Sequence, residues 1–379
     1  MPNPFRYGGI VSRESFCNRK QELSDLLRAA ENGERLFLSA ERRFGKTSLA
    51  LQVLRSLDPA RYIGAYVDLW PTESEETFAA AMAASISRSL ASSADHLLET
   101  AKRFFGGLAP SVTLDPQGMP QLSFGVRGAR MEPRNLKEVL RAPEEIARRR
   151  KKRVVIVFDE FPRILEYGSD AVERTLRSVI QDHTRVAYLF LGSRRHMIQR
   201  MFLDESRPLY RSGSHYPLGP IATEHWIPFV RTRFKRSDKS IDTERTRRIC
   251  EITGGHPFYT QHLCHAVWEL CEPGTRVAAS LVEDAFDLLL ERESYAYTAL
   301  WESCAPNQRR LLLGLSSEAP GVRPFSAEFV RHYRLRSASN AQRAAEGLLE
   351  RDIIDRENGS FVITDRFFRT WIRRTGSAA

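Results

Sequence analysis

The sequence predicts an α/β fold: a parallel sheet with helices on both faces, followed by a helical lid and a winged-helix domain. Residues 36–40 form an apolar run that leads through a glycine-containing turn into a helical pattern, and residues 153–158 form a second, β-branched run. Strands that alternate with helices in this way are typical of a parallel sheet buried on both faces. After Thr223 the spacing of apolar residues becomes purely helical, which indicates a separate unit.

The elements of the sheet follow one another along residues 1–222. We expect a first helix at Lys20–Asn32. Four strands are expected at Leu36–Ala40, Tyr62–Leu69, 153–160 and Val186–Leu191, and a short fifth strand within 215–221. Residues at about 109–127 alternate apolar and polar side chains around a Pro-Gln-Gly segment and predict an inserted β-hairpin. The cations at 148–152 end a predicted helix, where they suit the helix dipole without a nucleic-acid partner.

The turn after the first strand predicts a phosphate-binding loop. Its sequence fits G-x-x-x-x-G-K-[ST] except at the first position. We expect these residues to surround the phosphates: Ala40, Arg42, Arg43, Phe44, Gly45, Lys46, Thr47 and Ser48. Glu41 lies between Ala40 and Arg42. Unpaired N–H groups at a helix start attract phosphates, and Lys46 can reach the β- and γ-phosphates. The Thr47 hydroxyl can coordinate Mg²⁺, so we expect ATP and Mg²⁺ as ligands. Ala40 replaces the usual glycine and fits if its φ stays negative.

The second apolar run ends in two carboxylates, Asp159 and Glu160. The carboxyl ends of parallel strands face the ligand crevice, so Asp159 can hold Mg²⁺ while Glu160 orients and deprotonates the attacking water. Two acids can also simply cap a strand before a loop. Their occurrence with Gly45-Lys46-Thr47 in one chain favours the catalytic interpretation.

Four sequence segments, in this order along the chain, carry a resemblance to a known family: NPFRYGGIVSRESFCNRKQELSDLL, LFLSAERRFGKTSL, VVIVFDEF and ITGGHPFYTQHLC. Together they resemble the archaeal-type ATPase family within the STAND branch of AAA+-like P-loop NTPases, over residues 3–264. The resemblance implies that three residues near the first helix lie against the nucleotide base: Phe16, Arg19 and Glu22. It also implies that the lid approaches the phosphates through Gly255, His256 and Pro257, and that Ser193 holds a polar sensor position after the fourth strand.

Related ATPases often place an arginine finger after that fourth strand, facing a neighbouring subunit. The candidates here are Arg194 and Arg195, which we rank first, followed by Arg200, Arg207 and Arg211.

The unit from 295 to 379 has the pattern of a winged helix. Helical segments are followed by a two-stranded wing with its turn at Asn358-Gly359. If this unit reads DNA, the helix from about Ser339 would enter the major groove, with contacts from Asn340, Gln342, Arg343 and, in the wing, Arg356. The same unit could instead bind a protein. The lid occupies 223–294 between this unit and the sheet.

Composition limits the partners only loosely. The formal net charge of +10 is compatible with a polyanionic partner but is spread along the chain, as on an ordinary solvated surface. The five cysteines form no C-x-x-C pair, no membrane span is evident, and the start of the chain does not resemble a signal peptide. We therefore expect a cytoplasmic protein.

Two kinds of function fit these observations. In the first, an ATP-binding and ATP-hydrolysing switch uses its nucleotide state to control DNA binding or assembly into a homo-oligomer. In the second, a slow or non-hydrolysing signalling or scaffold switch binds a protein partner through the winged helix. Retention on DNA that depends on salt would separate them.

Overall fold

The computed structural model describes residues 2–9, 16–91, 94–114, 120–124, 133–319, 321–357 and 359–376. At its centre is a five-stranded parallel sheet of β1 (Arg35–Ser39), β2 (Tyr62–Asp68), β5 (Arg153–Asp159), β6 (Val186–Gly192) and β7 (Ser214–Pro217). The strand order is β2-β5-β6-β1-β7. This sheet, with helices on both faces, confirms the predicted α/β fold.

Helices cover both faces of the sheet because its strands alternate apolar side chains between the two sides. Phe37, Ile156 and Phe158 lie in one core, whereas Leu38 and Val157 lie in another. The helices of this unit are α1 (Lys20–Asn32), α2 (Lys46–Ser56), α3 (Glu75–Leu90), α4 (Ala94–Phe105), α5 (Pro133–Arg150), α6 (Ala171–Ile180) and α7 (Arg195–Leu203). Burial on both faces explains why the central strands are continuous apolar runs.

An antiparallel pair, β3 (Pro110–Leu114) and β4 (Pro120–Phe124), lies where the sequence predicts the inserted hairpin. The Pro-Gln-Gly segment of the prediction and residues 125–127 lie outside the described residues.

The C-terminal part is helical apart from one hairpin. It comprises α8 (Thr223–Arg236), α9 (Thr243–Thr253), α10 (Pro257–Leu270), α11 (Leu281–Glu302), α12 (Pro306–Ser317), α13 (Ala327–His332), α14 (Ala338–Glu350), β8 (Ile354–Glu357), β9 (Ser360–Ile363) and α15 (Arg366–Gly376). The wing formed by β8 and β9 is antiparallel. No helix in the described ranges is both long and apolar enough to cross a bilayer.

The lid and the winged helix share one hydrophobic core. Helix α11 runs without a break through the predicted boundary at 294/295. Phe367 of α15 contacts Tyr259 of α10 and Phe286 of α11, with ring centroids 4.7 and 5.1 Å apart. Leu263 of the lid and Leu348 of the winged helix belong to the same buried cluster. The two units therefore pack as one body beside the sheet.

Candidate functional site

The register of the sheet assembles the site at the carboxyl ends of three strands. β6 lies between β1 and β5, and Ser39 of β1 pairs with Gly192 of β6 while Asp68 of β2 pairs with Asp159 of β5. Because all these strands are parallel, the phosphate loop after β1, the acids ending β5 and Ser193 after β6 meet at one edge.

The loop after β1 has the backbone geometry of an anion-binding turn. Arg43 and Gly45 have positive φ values of 62° and 84°, and α2 begins at Lys46. Ala40 does not occur among the described residues with positive φ. Its methyl group is fully buried in the core beside Leu38 and Leu49, so alanine is accommodated without backbone strain.

Lys46 is buried at the start of α2, and its Nζ donates a hydrogen bond to the Glu41 carbonyl at 3.3 Å. Burial lowers the pKa of Lys46, and the nearby Glu160 and Asp159 carboxylates oppose that shift. The loop thus places the Lys46 ammonium group near Asp159 and Glu160 at the end of β5, where it can bind a phosphate group.

Thr47 and Asp159 fit a magnesium site. The Thr47 hydroxyl donates to Asp159 Oδ2 at 2.5 Å, and the Tyr66 hydroxyl donates to the same oxygen at 2.7 Å. A hydroxyl and a carboxylate in contact are the hard oxygen ligands that Mg²⁺ prefers. Tyr66, which orients Asp159 from β2, is a site residue that sequence reasoning missed, because its position inside β2 carries no motif.

Glu160 and Ser193 are brought together as a pair. The Ser193 hydroxyl donates to Glu160 Oε2 at 2.9 Å, and both residues line the cavity above the phosphate loop. Glu160 has a φ of 50°, so the chain turns sharply after Asp159 and directs the second acid away from the strand.

A cavity of about 460 Å³ opens above the phosphate loop. That volume lies in the range of small-molecule sites. Besides the loop, Glu160 and Ser193, its walls come from the lid and from the N-terminal segment: Arg6, Tyr7, Gly8, Gly9, Pro257, Phe258 and Gln261. Tyr7 stacks on His262 of the lid with centroids 4.1 Å apart. Pro257 is one of the lid residues expected near the phosphates, whereas no motif pointed to the N-terminal part of this wall, which depends on how residues 6–9 pack on α10.

The residues expected beside the nucleotide base do not line the described part of this cavity. Among the described residues that line the cavity, Phe16, Arg19 and Glu22 do not occur. Arg19 is buried, pairs with Glu22 at 2.6 Å and donates to the carbonyl of Gly219 at 2.7 Å. Its guanidinium ties the start of α1 to the segment after β7, so base contact by these residues stays a prediction that this cavity does not support.

The lid touches the phosphate loop through His256. Its Nδ1 accepts from the Phe258 N–H, and its Nε2 lies 3.2 Å from the carbonyl oxygen of Arg42. Burial lowers the pKa of His256 well below 6.5, so the ring is neutral and Nε2 is the donor. Gly255 has a φ of 66° and packs against the Ile221 carbonyl, where a Cβ would not fit, and Pro257 begins α10 at the cavity wall.

Arg194 and Arg195 contact the winged helix of the same chain. Arg194 Nε donates to Asp352 at 3.0 Å, and Arg195 Nη1 pairs with Glu357 at 2.6 Å. Asp355 of β8 accepts from the Arg195 N–H at 3.1 Å. In this arrangement carboxylates of the same chain hold both guanidinium groups, and a role of either arginine as a finger towards a neighbouring subunit stays a prediction.

The remaining finger candidates divide by burial. Arg207 pairs with the buried carboxylate of Glu173, which indicates a structural role. Arg200 and Arg211 are exposed, and the Arg211 guanidinium lies 5.1 Å from the Tyr210 ring.

The predicted DNA contacts of the winged helix differ in how exposed they are to solvent. Gln342, Arg343 and Arg356 are exposed, whereas Asn340 is half-buried and lies 3.4 Å from Arg343. A separate open groove runs from α13 to the start of α14, and its cationic residues were not singled out from the sequence: Arg331, Arg334 and Arg336. All three are exposed.

Comparison with known proteins adds two family matches. A model described as an ATPase domain predominantly from Archaea matches residues 16–263, and one described as a probable winged helix domain matches residues 295–374. No curated protein matches the chain.

Solved structures share the fold at low identity. The Walker-type ATPase paby2304 of Pyrococcus abyssi is 16% identical with a TM-score of 0.64, over 95% of this chain and 97% of that one. The ORC2 protein of Aeropyrum pernix, solved as ADPNP–ADP complexes, is 15% identical with a TM-score of 0.53, over 96% of each chain.

Proposed function

We propose that this chain, which belongs to the ATPase family found predominantly in Archaea and hydrolyses ATP, is a switch whose nucleotide state controls its binding to DNA or its assembly. The observation that carries the proposal is the docking of the winged helix on the phosphate-loop edge of the sheet, through Arg194–Asp352 and Arg195–Glu357. A DNA-binding unit held beside the nucleotide site can respond to what that site contains.

We assign the chemistry to residues that already lie together. Lys46 binds the β- and γ-phosphates, and Glu160 orients and deprotonates the attacking water, with Ser193 holding its carboxylate. Mg²⁺ bound by Thr47 and Asp159 supplies charge neutralisation on the phosphates. We expect the chain to act in the cytoplasm, in keeping with five buried free cysteines.

The outer face supports DNA as the polyanion. Residues 295–379 contain thirteen arginines and nine acidic residues, a net charge of +4. Several of the acids turn inward onto the sheet: Asp352, Asp355 and Glu357. The outer groove at α13 and α14 is left with exposed arginines, where phosphates can be bound.

Retention on duplex DNA at several salt concentrations, with ATP, with ADP and without nucleotide, tests this function. We expect retention that weakens as salt rises, because phosphate contacts release counterions, and that differs between nucleotide states. Replacing Arg331, Arg334 and Arg336 with glutamine should flatten the salt dependence. The control replaces Arg148, Arg149 and Arg150, which are also exposed but end α5, where Arg148 and Arg149 pair with Glu144 and Glu145 of the same helix.

The results distinguish the alternatives. Equal losses in the two triple variants would mean that only total charge matters, and no retention of the unmodified chain at low salt would favour a protein partner for the winged helix. Mass measurements with ATP and ADP test assembly in the same samples.

A further inference from the structure

The carboxylate of Glu41, the second residue of the phosphate loop, contacts three separate parts of the chain. It lies 3.3 Å from Arg366 Nη2 of α15, 3.7 Å from Arg195 Nη2 after β6 and 3.8 Å from His256 Nε2 of the lid. Of these partners, Arg195 also pairs more closely with Glu357, at 2.6 Å, so Arg366 is the nearest cation to Glu41. The Glu41 backbone meanwhile accepts from Lys46, so its position bears directly on the loop's main cation.

Arg366 is the residue of the winged helix that contacts the Glu41 carboxylate of the loop. Its Nη1 donates to the Thr253 carbonyl at the end of α9 at 3.2 Å, and its guanidinium packs on Gly254, where a Cβ would overlap it. One side chain therefore joins the winged helix, the lid and the phosphate loop.

The base of Arg366 is rigid. The preceding Asp365 accepts from the N–H groups of Phe367 and Phe368 at 2.9 and 3.0 Å, which starts α15, and both phenylalanines are buried. Since the backbone is held at this end and the guanidinium is bonded to the Thr253 carbonyl at the other, its contact with Glu41 depends on how the whole unit docks.

We propose that Arg366 is a positioning residue for nucleotide binding: through Glu41 it holds the phosphate loop in the conformation that accepts ATP. Docking of the winged helix then raises the affinity of the loop for nucleotide, and by linkage bound nucleotide favours docking. This inference rests on the proposed nucleotide site and assigns a regulator to it.

A double-mutant cycle on the full chain tests the coupling. We expect Arg366→Gln and Glu41→Gln each to weaken MgATP binding by about 5- to 20-fold in calorimetry, and the double variant to bind no more weakly than either single variant. In steady-state hydrolysis KM should rise with kcat nearly unchanged, because neither side chain acts on the transferred phosphoryl group. Arg366→Lys keeps a charge near Glu41 and should restore part of the affinity.

The control is Arg373→Gln on the same helix, whose guanidinium bonds the Ser316 carbonyl within the winged helix at 3.1 and 2.8 Å. It should lower Tm without changing MgATP affinity. If Arg366→Gln does not fold, Glu41→Gln paired with Arg366→Lys completes the cycle. If the two losses of MgATP affinity multiply in the double variant, or if Arg366→Gln binds MgATP as tightly as the unmodified chain, this inference is overturned while the proposed nucleotide site stands. If the unmodified chain does not bind MgATP, the proposed nucleotide site falls with it.

Discussion

The two halves of the phosphate loop differ in what their side chains contact. The second half, Gly45–Ser48, lies at the cavity and meets the acids of β5, with Thr47 bonded to Asp159 at 2.5 Å. In the first half, Ala40–Arg43, both Arg42 and Arg43 also line the cavity, but this half makes the contacts to the rest of the chain: Glu41 contacts Arg366, and the Arg42 carbonyl accepts from His256.

The difference teaches that one short loop serves both chemistry and communication. Residues that bind phosphate must have fixed types, because charge, hydroxyl and glycine geometry leave few substitutes. Residues that connect the loop to the lid and the winged helix need only match the charge and shape of the side chains they contact. Substitutions in the second half should therefore abolish nucleotide binding, whereas those in the first half should adjust it.

Lys46→Ala should have the largest effect. We expect MgATP affinity to fall by at least about 10²-fold, because a buried charge-assisted contact to the phosphates is lost. Calorimetry on this variant and on Arg42→Ala makes the contrast, since Arg42 lines the same cavity but its side chain is half exposed and reaches Asp352 only at 4.0 Å. A loss in Arg42→Ala as large as in Lys46→Ala would break the division between the two halves.

Glu160→Gln should bind nucleotide and lose turnover by about 10²-fold, as expected when a general base is removed. Phosphate release measured at saturating ATP checks this. Ser193→Ala is the companion variant; it frees the Glu160 carboxylate and should change turnover much less. Unchanged phosphate release in Glu160→Gln would remove Glu160 from the chemistry.

Asp355→Ala should act on docking more than on phosphate binding. The buried carboxylate accepts from Arg195 N–H and from His196 Nδ1 at 3.1 and 2.7 Å, and its pKa is lowered, with burial opposing the hydrogen bonds that lower it. We expect a loss of about 2 kcal/mol in the free energy of unfolding, from the hydrogen bonds to a charged group. Denaturant titration measures the loss. An intact Cm with weakened MgATP binding would contradict this assignment.

Acid should destabilise the fold through its buried histidines. Burial lowers the pKa of His183 and His262 from 6.5 to about 4, and that of His256 well below 6.5. The unfolded chain takes up protons near pH 6.5 while the folded chain does not, so the free energy of unfolding falls as the pH drops from 6.5 towards 4. His256→Asn keeps an N-cap for α10 and should make that fall shallower. His183→Gln, distant from the loop, should do so without altering MgATP affinity, and an unchanged slope in both variants would contradict the prediction.

Ala40→Gly should have the smallest effect. It removes a buried methyl group and adds backbone freedom, so we expect a loss of stability of about 1 kcal/mol and MgATP affinity within about twofold. Thermal unfolding and calorimetry measure the two quantities. A large gain in affinity would mean that the alanine does strain the loop.

The sequence by itself determined the sheet and the catalytic edge. Continuous β-branched runs favour strands buried on both faces, and the Gly45-Lys46-Thr47 and Asp159-Glu160 segments are local patterns that indicate their chemistry without knowledge of the fold. Their meeting at one edge follows from parallel strands, whose carboxyl ends share a side.

Tertiary structure alone decided what surrounds that edge. Tyr66, the N-terminal segment at Tyr7 and the contacts of Glu41 join residues far apart in the chain, and a single exposed-looking arginine such as Arg366 or Arg195 carries no signal of its partner. Tertiary structure also shows that α11 runs continuously across the predicted domain boundary at 294/295 into a core that both units share. The type of a residue determines which chemistry its side chain can do. Which partner that side chain contacts depends on how distant segments pack, because many residues of the same type could occupy that position.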